Sequence, residues 1–261
     1  MTASFVLVAA ALSAVGLGGR PSFIAIGGDP AQGVLVNLSP WAQRSAPPDP
    51  SRPTVVFIHG FNPIPRATHY TMAERLAEAI ARRGTAPVNV LAWNWNAATV
   101  VSLRMRANQE NDVGQGRLLA AALLAAGLPP ERTHLIGQSS GAIVAASAAR
   151  TLLDGYGRPA AQVTLLDPAT SYHDLVFGRL AVGTASPRVE NYWADGPGAF
   201  GREVPHAGVR NHRVDVAAPH LGAVYLPRSA HWNVVHWYLA TVEDKAYPLG
   251  YNGSVTCAGG S

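Results

Sequence analysis

The residues Gly137-Gln138-Ser139-Ser140-Gly141 have the form G-x-S-x-G. They stand between an apolar, strand-like run, Thr133 to Ile136, and a run of small residues, Ala142 to Ala149, suited to a helix. In a strand–turn–helix setting this pattern makes a nucleophile elbow. The turn is so tight that its flanking positions must be nearly bare, which explains Gly137 and Gly141. Ser139 then raises its hydroxyl above the sheet edge, at the amino end of a helix whose dipole favours developing negative charge.

A serine alcohol needs a base, and the base needs a carboxylate to orient it. In elbow enzymes these follow the serine in the order acid, then histidine. Two aspartates compete for the acid. Asp167 follows the strand-like run Val163 to Leu166 and precedes Pro168, whereas Asp195 follows Asn191 to Ala194, one strand later. Each also reads as a turn aspartate of the kind common before Pro or Gly. For the base, His231 and His236 lie in a helical segment near the end of the chain, and His220 is a third option.

The oxyanion of an acyl-transfer intermediate needs N–H donors. The run Val55 to Ile58 ends in His59-Gly60-Phe61-Asn62, a turn that offers the backbone N–H of Phe61. Ser140, after the serine, supplies the second. His59 precedes the serine and sits in the oxyanion turn, so it reads as a scaffold residue.

The elements that must carry these groups alternate along the chain. Thr54–Ile58 is a short β-branched run suited to a strand buried on both faces. Residues from Met72 to Arg83 have an amphipathic helical pattern. Val88–Trp93 is a strand, Asp112–Ala126 a helix stopped by Gly127 and Pro129-Pro130, and Gln162–Leu166 a further strand. Val189–Trp193 and His212–Val216 read as later strands, within an otherwise irregular stretch from 169 to 230, and His231–Val242 as a closing helix. Gly33–Leu38 reads as an early edge strand. The expected fold is α/β, an α/β-hydrolase fold whose mostly parallel central sheet is covered by helices on both faces.

The 261 residues, 48% hydrophobic and 14% charged, are enough for one large core and suggest one catalytic domain over residues 54–245. A Pro- and Gly-rich segment spans 20–53, and a tail spans 246–261. The net charge of +4 comes from scattered arginines, since Lys245 is the sole lysine, and nothing resembles a clustered nucleic-acid surface. The apolar run Phe5 to Val15 has the length of a secretory signal but lacks a preceding basic residue, so it reads as an export signal, as the product of a misassigned start codon, or as a buried first strand and helix. Export would place the protein outside the cell or in its envelope; without a signal it would be cytoplasmic. The single cysteine, Cys257, allows no internal disulfide.

Residues 54 to 240 resemble the family of pancreatic and lipoprotein lipases and phospholipase A1, within the α/β-hydrolases. His59-Gly60-Phe61 is similar to that family's oxyanion turn, and Leu91-Ala92-Trp93-Asn94-Trp95 to its strand ending in an Asp-Trp pair, with Asn94 in place of the aspartate. His134 to Ala142 resembles the elbow H-x-I-G-H-S-L-G-A. Leu165-Leu166-Asp167-Pro168-Ala169 resembles G-L-D-P-A, whose aspartate is the acid, and His231 with Trp237-Tyr238 resembles the H-x5-W-Y ending, whose histidine is the base. The resemblance therefore favours Asp167 and His231 over their competitors. It implies a serine hydrolase acting on carboxylic esters, lipids among them, with contact to a lipid surface and no cofactor.

Gln138 and Ser140 depart from the family's His and Leu, which bears on the acyl pocket. Phe177, Leu175, Leu180, Phe200 and Trp193 are the apolar residues available to line that pocket. The disulfide-closed lid of the family cannot form here. No H-E-x-x-H, G-x-G-x-x-G or P-loop pattern calls for a metal or nucleotide. The competing readings are a thioesterase, amidase or acyltransferase on the same three residues, and a non-catalytic binding protein with the hydrolase fold.

Overall fold

A computed structural model of the chain describes residues 25–29, 32–40, 46–61, 69–84, 87–98, 105–216 and 229–258. The apolar run at 5–15, Asn62 and His220 lie outside the described residues.

Eight strands form one sheet in the order β1-β2-β4-β3-β5-β6-β7-β8. The strands are β1 (Ala25–Asp29), β2 (Gly33–Asn37), β3 (Thr54–Ile58), β4 (Asn89–Asn94), β5 (Thr133–Gln138), β6 (Gln162–Leu166), β7 (Val189–Trp193) and β8 (Val209–Arg213). From β4 to β8 every neighbouring pair is parallel; β1 and β2 join antiparallel at one side. The helices are α1 (His69–Arg83), α2 (Met105–Ala125), α3 (Gly141–Tyr156), α4 (Thr170–Arg179), α5 (Ala230–Glu243) and the short α6 (Val255–Ala258).

The strand period of two sorts the core into two layers. In β3, Val56 and Ile58 face the side of α2 and α3, while Val55 and Phe57 face the side of α1 and α5. All five β3 residues are buried, as a strand covered on both faces requires. The helix after the elbow is built of small residues because α2 crosses it closely. A Cβ at Gly116 on α2 would lie 2.4 Å from Cβ of Ser147 on α3.

Four expectations are revised. Gly33–Asn37 is not the edge, because β1 pairs outside it; β1 carries two glycines and little apolar signal. The 169–230 stretch contains α4, whose apolar residues bunch as Leu175-Val176-Phe177 and so conceal a helical period. β8 begins three residues earlier than expected and is a half-exposed edge strand whose polar sequence hides it. α2 begins seven residues before Asp112, in a polar first half.

The segment after α5 folds back onto the sheet. Tyr251, Ser254 and Thr256 are buried. The Val255 N–H donates to Gln162 Oε1 at 2.9 Å, and the buried His134 ring reaches Thr164 Oγ1 at 2.8 Å and Thr256 Oγ1 at 3.2 Å. Burial lowers the His134 pKa to about 3, so this ring is neutral in the folded chain.

Candidate active site

β5 and β6 are in register with Gln138 opposite Leu166, so the residues that follow, Ser139 and Asp167, emerge side by side at the carboxyl end of the parallel strands. That end is where ligands bind in open α/β sheets. Both residues adopt the left-handed region, with φ of 57° at Ser139 and 41° at Asp167. Such a conformation costs of order 1–3 kcal/mol for a residue with a side chain. Here it is held by the ladder: the Ser139 N–H donates to Leu166 C=O at 3.0 Å, and the Asp167 N–H to Tyr192 C=O at 2.8 Å.

The elbow glycines are required sterically. A Cβ at Gly137 would lie 2.3 Å from the Gly141 carbonyl oxygen, and one at Gly141 would lie 2.5 Å from the carbonyl oxygens of both Ile58 and His59. The elbow is therefore wedged against the end of β3. Ser140 begins the helical turn, with φ −63° and ψ −25°, and is buried.

Asp167 is fully buried and His231, in the first turn of α5, is 8% exposed. The His231 Nδ1–H donates to Asp167 Oδ2 at 2.5 Å, and the same oxygen accepts the Phe200 N–H at 3.0 Å. Asp167 Oδ1 has no partner among the described residues. Gly201 lies against it, since a Cβ there would come within 2.5 Å of that oxygen. The Phe200 ring meets the imidazole edge-on at 4.9 Å, and the Trp232 ring lies 5.9 Å from it.

The second imidazole nitrogen, Nε2, is met by the side chain of Gln138, whose Nε2 lies 2.6 Å away. Gln138 Oε1 accepts the Gly60 N–H at 3.1 Å. A backbone N–H can only donate, so this bond fixes the carboxamide with its oxygen toward Gly60 and its NH2 toward the histidine. His231 is thus neutral at Nε2, where it accepts, and protonated at Nδ1, where it donates.

His59 supports the adjacent turn. Its Nδ1–H donates to Gly60 C=O at 2.7 Å, its Nε2 accepts the Trp95 N–H at 3.3 Å, and its own carbonyl accepts the Trp95 indole N–H at 2.9 Å. The rings stack at 5.6 Å. This is the scaffold role expected from its position. Phe61, next in the turn, is 44% exposed.

Of the sequence candidates, Ser139, Asp167, His231, Ser140 and Phe61 come together around the ends of β3, β5 and β6 and the start of α5. Asp195 instead pairs with Arg213 at 3.1 Å on the surface, both side chains 69% exposed. His236 faces Arg75 at 3.5 Å, and burial together with that guanidinium lowers its pKa. Of the apolar residues expected around an acyl pocket, Phe200 touches the imidazole. Phe177 is fully buried in the core, Leu180 packs against that core, Trp193 closes β7, and Leu175 is 83% exposed. The contact missed in the sequence is Gln138. Its signal was present, because in β5 it shares the strand face of His134 and Ile136, toward α5. No group of His, Cys, Asp and Glu among the described residues is arranged to hold a metal, and no described helix is long and apolar enough to cross a membrane.

A mostly parallel eight-stranded sheet with an antiparallel extension, helices on both faces, and a serine in a strained turn between strand and helix define an α/β-hydrolase fold. The chain belongs to the lipase family, whose sequence profile matches residues 34–177, more than half its length, and it is an ester hydrolase of the lipase and esterase type. The match includes Ser139 and Asp167 and ends before His231. No curated protein matches the sequence. Among solved structures the chain is similar to the Pyrobaculum calidifontis esterase in its monoclinic form, at 19% identity over 86% of this chain and 85% of that one, with a TM-score of 0.48. It is also similar to Thermogutta terrifontis esterase 2 phosphoramylated by tabun, at 14% identity over 74% of this chain and 81% of that one, with a TM-score of 0.46.

Proposed function

We propose that the protein is a serine hydrolase that cleaves carboxylic esters, lipid esters included, through an acyl-enzyme formed on Ser139. The observation that carries this reading is the 2.5 Å bond from His231 Nδ1–H to the buried Asp167 carboxylate, beside a serine held in a strained elbow. Asp167 fixes the tautomer that leaves a lone pair on Nε2, and the lone pair takes the Ser139 proton as the hydroxyl oxygen attacks the ester carbonyl. The N–H groups of Ser140 and Phe61 are the donors assigned to the oxyanion, each contributing roughly 10²–10³ in rate. His231 then returns its proton to the leaving alcohol. Water repeats the cycle on the acyl-enzyme and releases the acid.

Two features support an apolar acyl group. The imidazole has Phe200 and Trp232 as ring neighbours, each 42% exposed, and Phe61 adds a third partly exposed ring at the oxyanion turn. Within the lipase family, the five motifs from His59 to Tyr238 favour the branch of pancreatic lipases and phospholipase A1.

Labelling with a fluorescent alkyl phosphonate ester tests the nucleophile. Wild-type protein takes up one label and turns over p-nitrophenyl esters, while Ser139→Ala does neither and melts as wild type does. Labelling that persists in Ser139→Ala would move the chemistry elsewhere.

A further inference from the structure

The base of the proposed reaction is occupied. Its Nε2 must accept the Ser139 proton, yet in this structure that nitrogen accepts a hydrogen bond from Gln138 at 2.6 Å. Gln138 is not free to turn its amide around, because Gly60 N–H holds its oxygen at 3.1 Å. The two bonds tie together the end of β5, the oxyanion turn after β3 and the first turn of α5. Gln138 is 3% exposed and His231 8% exposed, so water does not compete freely for either bond.

We propose that Gln138 is a positioning residue that latches the base in the unliganded enzyme, a reading that rests on the function proposed above. In the latched state Nδ1–H is given to Asp167 and the Nε2 lone pair to the Gln138 NH2, so the imidazole is not available to take the Ser139 proton. An ester entering the cleft against Gly60 and Phe61 occupies the space beside the Gln138 amide. The Gln138–His231 bond breaks, and Nε2 is released to the serine. No proton leaves the glutamine at any point. The same bond holds the imidazole in plane while the site is empty, so the base waits aligned yet unavailable to small electrophiles.

Two substitutions separate latch from scaffold. Gln138→Leu has similar bulk but donates nothing to Nε2, and it also leaves the Gly60 N–H without its side-chain acceptor. Releasing Nε2 from a bond of ordinary net strength speeds phosphonate labelling of Ser139 about fivefold. Gln138→Glu keeps an oxygen acceptor for Gly60 but points a second oxygen at Nε2, a contact satisfied only when Nε2 is protonated. That variant folds as wild type does, loses at least about tenfold in labelling and ester turnover at neutral pH, and regains activity as pH rises.

The independent readout is the 15N resonance of His231 in 15N-histidine protein without substrate, identified by its loss in His231→Gln. Its Nε2 signal moves away from the protonated range in Gln138→Leu and into it in Gln138→Glu. If Gln138→Leu labels no faster than wild type, or Gln138→Glu keeps wild-type rates and an unchanged pH profile, the latch is overturned. If Gln138→Leu does not fold, the Gln138→Glu rates and the 15N shift decide alone. Failure of wild-type protein to label at Ser139 at all would instead remove the serine-hydrolase reading, and is distinguished by that control.

Discussion

Replacing Asp167 by asparagine removes one charge and little else, which makes its effect calculable. The Asp167 oxygen that bonds His231 Nδ1–H also accepts the Phe200 N–H, and the other oxygen has no partner among the described residues. An asparagine therefore has a preferred orientation. With its oxygen in the Oδ2 position it keeps both donors satisfied and leaves only its NH2 unpaired against Gly201. Turned the other way it faces two N–H donors with its own. The first orientation wins, the Nδ1–H tautomer is retained, and the loss is that of the negative charge facing the imidazolium formed in the transition state. Two unit charges about 4 Å apart attract by about 4 kcal/mol at an effective dielectric constant near 20. That energy corresponds to about a 10³-fold fall in kcat/KM. The unpaired NH2 should lower stability by about 1–3 kcal/mol. Asp195→Asn is the matched control, since its partner Arg213 and the carboxylate are both 69% exposed. Surface pairs of this kind are worth about 0–1 kcal/mol, so its activity should stay within about twofold of wild type. Initial rates on a p-nitrophenyl ester, with thermal melts to verify folding, provide the measurement. An Asp167→Asn enzyme within tenfold of wild type, or an Asp195→Asn enzyme that is the more impaired, would refute the assignment of the acid.

Two further outcomes follow from burial and close contact. Asp112, on α2 and 4% exposed, has its pKa pushed up to about 7 from 3.8 by desolvation, so the folded chain holds a proton that the unfolded chain has lost between those values. Stability contributed by this group is full below about pH 4 and falls as pH rises toward 7, by at most about 4 kcal/mol. Asp112→Asn should therefore raise the denaturant midpoint at pH 8 and leave it unchanged at pH 4, and an equal shift at both would contradict the argument. A Cβ at Gly60 would lie 2.6 Å from Ser139 Cβ and 2.7 Å from Gln138 Oε1. Gly60→Ala should therefore lower ester turnover by more than about 100-fold while destabilising the fold by only about 1–3 kcal/mol. Turnover within a few-fold of wild type would show that the turn yields.

The sequence made the parallel part of the sheet legible because β3 is a nearly continuous apolar run and β5 and β6 carry the apolar pairs Leu135-Ile136 and Leu165-Leu166, as strands buried on both faces favour. Ser139 was legible for a steric reason: two glycines around one serine are needed where backbones close to within van der Waals contact of Ile58 and His59. Asp167 and Asp195 could not be separated by position, since each follows a strand. What distinguishes them is burial. Asp167 faces a histidine from a distant helix, and Asp195 faces solvent and Arg213, which strand-end position does not encode. Phe177 was open for the complementary reason, because an apolar residue satisfies the core and a pocket equally well by composition, and the structure buries it in the core. β8 and the first half of α2 were obscured by polar residues on exposed faces, where packing imposes no period.

The register between β5 and β6 explains why a glutamine came to control the base. Side chains alternate across a strand, and in β5 the residues Leu135 and Gly137 face α2 and α3, while His134, Ile136 and Gln138 face the layer of α1 and α5. α5 begins above that layer and presents His231 in its first turn. The residue before the nucleophile is therefore directed at the helix that carries the base, whatever its identity. At that position an aliphatic side chain would leave Gly60 N–H without its acceptor, and a carboxylate would hold a proton on Nε2. Glutamine alone among residues of that length offers an acceptor toward Gly60 and a donor toward a neutral imidazole at once, so the fold's strand period, rather than any contact with substrate, dictates which group guards the base.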